Sequence, residues 1–444
     1  MKKVLGIGTF YLMMTNLAGV LASYLINVGI ARYLGPALFG IFGVLMSLYQ
    51  INRAFFQSGV PKAASKYLAE NPEKSESVMK TSLQLQLAVA AAVSLVYIIF
   101  SKQISGILHD HALKEFIVFI GIMVIPQALL FLFYDGYLNG QRLFKATALH
   151  QIAYAVLRVI LVFAFMFMGW KIMGALLGHL IASILALMLA LFFVKMKKIK
   201  EAVYFPRKKI LAFTVSITMA SLGLILMRNI DTLIIKSLMR DNVAVGIYTA
   251  AMTLANVPYI AFSALPLTLL PSVSKSTNEG NMALTRKYIN QSLRYLLIGL
   301  SPVTAVIAAT STPLVAFLYS PQYIAAGPVL FILIFSSAFL VLFVTLGLTI
   351  AGSGKPNIYL ILSFAGAIFL AMFAALLVPR YGIKGAAIAS LISAVSALFI
   401  AGVYVHKHFG LEIKLLSLFR ILSVSAVIYL IANLWQPSGF LLVV

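Results

Sequence analysis

Four arginines and two aspartates lie inside long apolar stretches of this chain, where a charged side chain is costly and is by default a functional candidate. They are Arg53, Arg158, Arg228, Arg294, Asp135 and Asp231. Guanidinium groups bind phosphate through a planar fork of N–H donors and stay charged at any working pH. Several arginines around one cavity would therefore bind an anion, such as a pyrophosphate-linked lipid, and would repel a cationic drug.

Three of these residues also fit a position at the membrane interface. Arg53, Arg294 and Asp135 lie toward the cytoplasmic ends of their stretches, from which a long side chain can extend to water. The first apolar stretch carries no charge, and its polar residues Asn16 and Asn27 are the cavity candidates there. We expect the two asparagines to line a cavity together with the arginines.

Arg228 and Asp231 are three positions apart, so they share one face of a helix. This spacing fits a neutral structural ion pair, and it equally fits a substrate-binding arginine beside an aspartate that couples an ion. Arg158 lies near the middle of its stretch, with no acid within one turn. We expect Arg158 to line a cavity or to meet a partner on another helix. Asp231 and Asp135 are the candidates for coupling to Na⁺ or H⁺.

The sequence offers no set of residues for catalysis or for a metal site. It contains no cysteine, and its six histidines form no ligand set on one helix. No nucleophile is patterned with a base, and no nucleotide-binding motif is complete. We therefore expect a secondary-type membrane transporter rather than an enzyme, with no cofactor and with Na⁺ or H⁺ as the candidate coupling ion.

Membrane-spanning helices must position these residues. Hydrophobic residues make up 62% of the 444 residues and charged residues only 10%, so lipid must replace water around much of the surface. Because a span needs roughly 20 apolar residues, the sequence predicts twelve full spans, a thirteenth, and the truncated start of a fourteenth after Pro437. The thirteen lie near 4–31, 38–59, 81–100, 115–138, 148–169, 172–194, 210–236, 244–270, 288–311, 325–351, 357–379, 384–405 and 418–434.

The distribution of charge predicts the orientation of the chain. Lys and Arg number 34 against 11 Asp and Glu, which gives a net charge of +23. These cations concentrate on loops that share a side with the N-terminus, and the positive-inside rule places that side in the cytoplasm. The positive charge therefore indicates topology and not nucleic-acid binding. We expect a multi-pass protein of the cytoplasmic (inner) membrane with a cytoplasmic N-terminus.

Similar short segments recur at matching places in the two halves of the chain. Gly40-Ile-Phe-Gly opens the second span and Gly246-Ile-Tyr-Thr opens the eighth. Gly174-Ala-Leu-Leu opens the sixth span and Gly385-Ala-Ala-Ile opens the twelfth. Since six spans separate the members of each pair, both halves have the same orientation, and the repeat is parallel about a pseudo-two-fold axis along the membrane normal.

The predicted fold is an all-α polytopic membrane protein with two six-helix lobes around a central cavity. The sequence divides into an N-terminal lobe at 1–194, a basic cytoplasmic linker at 195–209, a C-terminal lobe at 210–405 and an extension at 406–444. The extension holds the thirteenth span and the start of the fourteenth.

Several longer motifs resemble those of polysaccharide flippases, in the same order along the chain. They are Arg32-Tyr-Leu-Gly35-Pro-Ala-Leu-Phe-Gly40, Gly59-Val-Pro61-Lys-Ala-Ala-Ser-Lys66, Val245-Gly246-Ile-Tyr248-Thr-Ala-Ala251, Leu270-Pro271-Ser-Val-Ser and Tyr381-Gly382-Ile-Lys-Gly385-Ala-Ala-Ile. Over about residues 5–435 the chain resembles the multidrug/oligosaccharidyl-lipid/polysaccharide (MOP) exporter superfamily. Its O-antigen-type and sporulation-type flippases are the most similar branch, and lipid II flippases are related.

This resemblance implies transport of sugars linked to a polyprenyl diphosphate. It places Arg53 at the position of an arginine that lines the cavity of lipid II flippases. Those flippases carry charged residues in their first helix and this chain carries none, so the resemblance does not extend to lipid II itself as the substrate.

The predicted function is that of a flippase that translocates a polyprenyl-diphosphate-linked oligosaccharide across the cytoplasmic membrane by alternating access. Two alternatives stay open, a multidrug cation antiporter of the same superfamily and a non-transporting membrane scaffold for polysaccharide assembly. The expected partners are the lipid-linked saccharide, membrane lipids, and a polysaccharide polymerase or glycosyltransferases, with no nucleic acid. The protein is expected to be a monomer.

Overall fold

The computed structural model describes residues 2–194, 205–262, 264–412 and 415–434. Within these ranges every regular element is a helix, which confirms the all-α polytopic class. The predicted linker at 195–209 lies largely outside the described residues, and so does the predicted start of a fourteenth span after Pro437.

The helices follow one another along the chain with short connections. The first part contains α1 (Lys2–Phe56), α2 (Val60–Glu70), α3 (Ser75–Ile99), α4 (Ser101–Ile107), α5 (Leu113–Phe131), the π-helix π1 (Leu132–Leu138), α6 (Phe144–Phe165), the π-helix π2 (Met166–Trp170) and α7 (Lys171–Phe192). The second part contains α8 (Arg207–Met239), α9 (Asn242–Ala255), α10 (Val257–Phe262), α11 (Ala264–Asn278), α12 (Met282–Ala309), α13 (Ser311–Leu318), α14 (Ala326–Gly352), α15 (Pro356–Phe409) and α16 (Leu415–Leu434). Short 3₁₀ turns lie at Pro72–Lys74 and Pro321–Tyr323.

Among the described residues, ten helical stretches are long and apolar enough to cross a membrane. Three of them are 57, 49 and 54 residues long, about twice what a bilayer needs. Each of the three contains a glycine with positive φ, at the end of a predicted span for Gly169 and between two predicted spans for Gly35 and Gly382. Only glycine adopts such torsion angles without steric cost, so one helix ends and another begins at each of these glycines. The total number of spans stays a prediction.

Two of these glycine junctions are built alike. After Gly169, a Cβ on Gly174 would lie 2.6 Å from the carbonyl oxygen of Phe165. After Gly382, Gly385 lies equally close to the backbone of the helix that precedes it. Two backbones approach this closely only where a side chain is absent, so the matching Gly-Ala segments of the sequence have the same local role. The internal repeat as a whole stays a prediction.

The chain packs as two compact units. The first unit holds Met1–Ile30 and Val44–Ile225, and the second unit holds Ala31–Gly43 and Leu226–Val444. The middle of α1 therefore belongs to the second unit, although the chain on either side of it belongs to the first. The division also falls within α8, and the lobe boundaries drawn from the sequence stay a prediction.

In the first unit, one buried amide fixes the end of α1. Helix α1 ends at Phe56, where its last carbonyl groups lose their partners within the helix. Gln86 of α3 is fully buried and donates from Nε2 to the carbonyl oxygens of Phe56 and Ala128, both at 2.7 Å. Because unsatisfied backbone groups are costly in a membrane interior, this side chain holds α1 against α3 and α5.

In the second unit, residues 31–43 pack directly against other backbone segments. Gly40 lies against α9 at Gly246, and a Cβ on either glycine would clash with the backbone of the other helix. Arg32 donates from Nε to the carbonyl oxygen of Leu318 at 2.7 Å. The segment is therefore an integral part of the second unit.

Candidate functional site

Arg53 is held by two glutamines on its own face of α1 and the turn that follows. Its Nε donates to Oε1 of Gln57, and its Nη1 donates to Oε1 of Gln50 at 3.2 Å. The guanidinium also lies over the ring of Phe131, 5.4 Å from the ring centroid. Positions 50, 53 and 57 are spaced by three and four residues, which is the spacing at which helical side chains meet.

Asp135 joins this group from π1. Nε2 of Gln57 donates to Oδ2 of Asp135 at 3.1 Å, and Nζ of Lys62 on α2 lies 3.7 Å from Oδ1. The side chain of Asp135 is only 10% exposed, so it is a buried and paired carboxylate rather than an acid that extends to water. The carboxylate of Asp135 thus contacts Lys62 directly and is linked to Arg53 through the amide of Gln57.

Arg158 of α6 has neutral partners. Its Nη2 donates to Oγ of Ser23 on α1 at 2.8 Å, and its guanidinium lies 5.6 Å from the ring centroid of Tyr154. Tyr49 of α1 lies near both Arg53 and Arg158. The structure therefore brings these two predicted site residues into one region of the first unit. Arg158 has a partner on another helix, Ser23 of α1, and its position in a cavity stays a prediction.

Three other predicted site residues stand apart. Asn27 donates from Nδ2 to the carbonyl oxygen of Ser23 in its own helix at 2.8 Å. Asn16 and Arg294 are exposed, and Arg294 forms no hydrogen bond or ion pair with a described residue. No described hydrogen bond joins either asparagine directly to an arginine, although Asn27 and Arg158 both donate to Ser23.

Arg228, in the second unit, is held by an amide and an aromatic ring. Its Nη2 donates to Oδ1 of Asn256 at 2.9 Å. Its guanidinium lies 3.9 Å from the ring centroid of Tyr259 on α10, close enough for a cation–π interaction.

Asp231 does not pair with Arg228, although their spacing would permit it. The carboxylate is 2% exposed and accepts hydrogen bonds from the hydroxyl of Tyr248 and, at 3.1 Å, from the hydroxyl of Ser390. The backbone N–H of Thr232 is a third donor, at 2.8 Å. The ion-pair interpretation of this arginine and aspartate is therefore wrong. Within the described ranges, no cluster of three or more His, Cys, Asp or Glu includes Asp231 as a metal ligand.

Arg53, Arg158 and Arg228 have one property in common: no described acid neutralises them. Their partners are amides, a hydroxyl and aromatic rings. A guanidinium has five N–H donors, and these contacts occupy two on Arg53 and one each on the other two. Each arginine keeps its charge and at least three donors, which is the chemistry that binds an oxyanion.

Some of the residues that contact the site arginines and Asp231 could have been predicted from the sequence, and others could not. Gln50 and Gln57 could have been found from their helical spacing to Arg53. Asn256 lies 28 residues from Arg228, and Ser390 lies 159 residues from Asp231. No local pattern points to such pairs.

Comparison with known protein families matches residues 5–277, well over half of the chain, to the polysaccharide biosynthesis proteins. The chain belongs to the polysaccharide biosynthesis protein family. Its motifs resembled those of polysaccharide flippases, and this membership confirms that resemblance.

Two individual proteins are similar to this family member along most of their length. An uncharacterized membrane protein of Methanocaldococcus jannaschii is 28% identical over 418 residues, which cover 89% of this chain and 96% of that protein. Stage V sporulation protein B of Bacillus subtilis is 22% identical over 449 residues, which cover 92% of this chain and 85% of that protein.

Solved structures establish the fold of this polysaccharide biosynthesis protein. The inward closed conformation of the lipid II flippase MurJ has a TM-score of 0.77 at 15% identity, with 98% of this chain and 95% of that chain covered. An inward-facing multidrug resistance MATE family transporter of the MOP superfamily has a TM-score of 0.75 at 14% identity, with 88% and 95% covered. The protein therefore has the fold of the MOP superfamily, and the proteins that share it are transporters and a flippase rather than enzymes.

Proposed function

We propose that this protein is a flippase for a polyprenyl-diphosphate-linked oligosaccharide. It moves the headgroup from the cytoplasmic to the outer face of the cytoplasmic membrane by alternating access, with its own N-terminus in the cytoplasm. Family membership supports a role in polysaccharide biosynthesis. The similarity to Stage V sporulation protein B and the fold shared with a lipid II flippase support the flippase mechanism.

The observation that carries the proposal is the set of arginines without acidic partners. A charge inside a membrane protein is costly unless an opposite charge or water compensates it. Arg53, Arg158 and Arg228 have only neutral direct partners among the described residues, so each can accept an anionic ligand as its compensating charge. A diphosphate brings two or more negative charges and matches the donor geometry of a guanidinium. A cationic drug would instead add to the positive charge.

Asp231 is the proposed site of coupling to Na⁺ or H⁺. It is a buried acid whose described partners are a tyrosine, a serine and a backbone N–H, so no described cation neutralises it. Asp135 already has a cation, Lys62, within 3.7 Å. Of the two acids, Asp231 is therefore the one without a described cationic partner, and we assign the exchangeable positive charge to it.

The test is transport by purified protein in liposomes. The substrate is a synthetic polyprenyl-diphosphate disaccharide with a fluorescent sugar, and the readout is the fraction that a membrane-impermeant quencher can reach over time. We expect Arg53→Ala, Arg158→Ala and Arg228→Ala to slow transport strongly. Arg380→Ala is the matched control, because Arg380 is exposed and has no described partner, and it should leave the rate unchanged.

The two alternatives give different results in the same liposomes. A multidrug cation antiporter would transport a fluorescent organic cation and would not lose that activity in the arginine variants. A non-transporting scaffold would move neither substrate. Near-normal transport of the diphosphate substrate by all three alanine variants would contradict the anion-binding role of the arginines.

A further inference from the structure

We propose that Gln57 is a positioning residue, which orients the guanidinium of Arg53 toward an anion and couples it to Asp135 as an internal counter-charge. This inference rests on the proposed function, because it concerns how Arg53 meets the diphosphate of the substrate.

The guanidinium of Arg53 is fixed on three sides. Gln57 accepts from Nε, Gln50 accepts from Nη1, and the ring of Phe131 lies against the group. Nη2 donates to no described residue, so both of its donor hydrogens remain available. A long side chain held in this way loses little further entropy when it binds, and preorganisation of this kind raises affinity.

Gln57 differs from Gln50 because both ends of its amide are engaged. Its Oε1 accepts from Arg53, and its Nε2 donates to Asp135 at 3.1 Å. A cation requires an acceptor and a carboxylate requires a donor, so the two neighbours permit only this orientation of the amide. Gln57 also lies in the turn between α1 and α2, so its replacement does not interrupt a helix.

Asp135 offsets part of the positive charge near Arg53. Lys62, Asp135 and Arg53 together carry one net positive charge. A carboxylate beside the binding arginine repels an incoming anion and weakens its binding. A transporter needs such a limit, because a substrate that binds too tightly is not released.

The experiment is calorimetric titration of the full-length protein in lipid nanodiscs with inorganic pyrophosphate. Gln57→Ala removes one charge-assisted hydrogen bond that orients Arg53 and should weaken binding by about 3- to 10-fold. Gln57→Glu should weaken binding further, because the new carboxylate binds Arg53 in competition with the ligand and can no longer donate a hydrogen bond to Asp135. Gln141→Ala is the matched control: Gln141 donates to Oγ of Ser75 at 3.1 Å and not to Arg53, so binding should not change.

The variant Asp135→Asn tests whether Asp135 acts as a counter-charge or has only a structural role. The asparagine keeps an oxygen that can accept from Gln57 but loses the negative charge. We therefore expect pyrophosphate to bind more tightly than in the natural protein, whereas a damaged structure would bind it more weakly. Thermal unfolding of each variant identifies damage independently, and the near-isosteric Gln57→Glu keeps the test decisive if Gln57→Ala is unstable.

The outcomes distinguish the inference from the function on which it rests. If the natural protein binds no pyrophosphate, or if Arg53→Ala leaves its affinity unchanged, the proposed function is contradicted. If Arg53→Ala weakens binding but Gln57→Glu binds as tightly as the natural protein, Gln57 does not position the arginine. If Asp135→Asn weakens binding in a protein of normal thermal stability, Asp135 is not a counter-charge.

Discussion

Replacement of Arg158 by alanine tests the anion-binding hypothesis at a residue whose structural role is small. Arg158 donates to Oγ of Ser23 at 2.8 Å and has no acidic partner among the described residues. The hydroxyl of Ser23 itself donates to the carbonyl oxygen of Gly19 at 2.8 Å, so it keeps a partner after the substitution. The variant therefore leaves no buried charge and no unpaired hydroxyl donor.

The expected loss of affinity follows from the chemistry of one contact. A hydrogen bond to a charged group contributes about 1.5–3 kcal/mol, which corresponds to roughly a 10- to 150-fold weaker affinity when it is lost. Arg158→Lys should recover only part of this loss, because an ammonium keeps the charge but cannot form the planar fork. We expect the order natural protein, lysine variant, alanine variant for both pyrophosphate affinity and transport rate.

The assay compares the three proteins at matched amounts in nanodiscs and in liposomes. Thermal unfolding should show similar stabilities, since the substitution removes one partly buried hydrogen bond and one long contact with the Tyr154 ring, and leaves the hydroxyl of Ser23 satisfied. An alanine variant that binds pyrophosphate within about twofold of the natural protein would refute the reasoning, because no charge-assisted contact is that weak. Arg158 would then be a structural residue that only binds Ser23.

Three further predictions follow from other parts of the molecule. Gly40→Ala places a Cβ against the backbone of α9 and should cost about 1–3 kcal/mol of stability, whereas Gly19→Ala meets nothing within 4 Å and should not lower the unfolding temperature. Asp231→Asn should abolish the dependence of transport on a Na⁺ or H⁺ gradient and leave pyrophosphate affinity nearly unchanged, because Asp231 does not contact Arg228; a variant still driven by the gradient would contradict the coupling role. Reporter fusions after Lys66 should report a cytoplasmic location and fusions near His109 an external one, and the reverse at either site would contradict the predicted orientation.

Most of the helical architecture could be predicted from the sequence, because in lipid the length of an apolar run nearly determines the element that it forms. Most predicted spans lie on one helix of the structure, but the span predicted at 244–270 is divided among α9, α10 and α11. The junctions at Gly35 and Gly382 fall between predicted spans, and Gly169 is the last residue of one. The composition could not predict that residues 31–43 pack in the second unit. That assignment depends on contacts with residues more than 200 positions away.

The candidate site was predictable where its contacts are local. The spacing of Gln50, Arg53 and Gln57 already indicates that these side chains meet. By the same argument, the three-residue spacing of Arg228 and Asp231 indicated an ion pair, and that prediction was wrong. On a helix surface a local partner is worth only a few tenths of a kcal/mol, so stronger partners on other helices override it. Those partners, Asn256 and Tyr248 among them, are set by tertiary packing.

The packing of residues 31–43 has a consequence for synthesis of the protein. Arg32 donates to the carbonyl oxygens of Phe317 and Leu318, which follow it by 285 and 286 residues. At roughly 5–20 residues per second, about 15–60 s separate the emergence of the arginine from that of its acceptors. During this interval the rest of α1 can pack into the first unit. Residues 31–43 cannot yet pack, because the part of the second unit that they contact has not been synthesised. A ribosome that stalls before residue 317 would therefore leave a membrane-inserted chain in which Arg32 lacks both of its backbone acceptors.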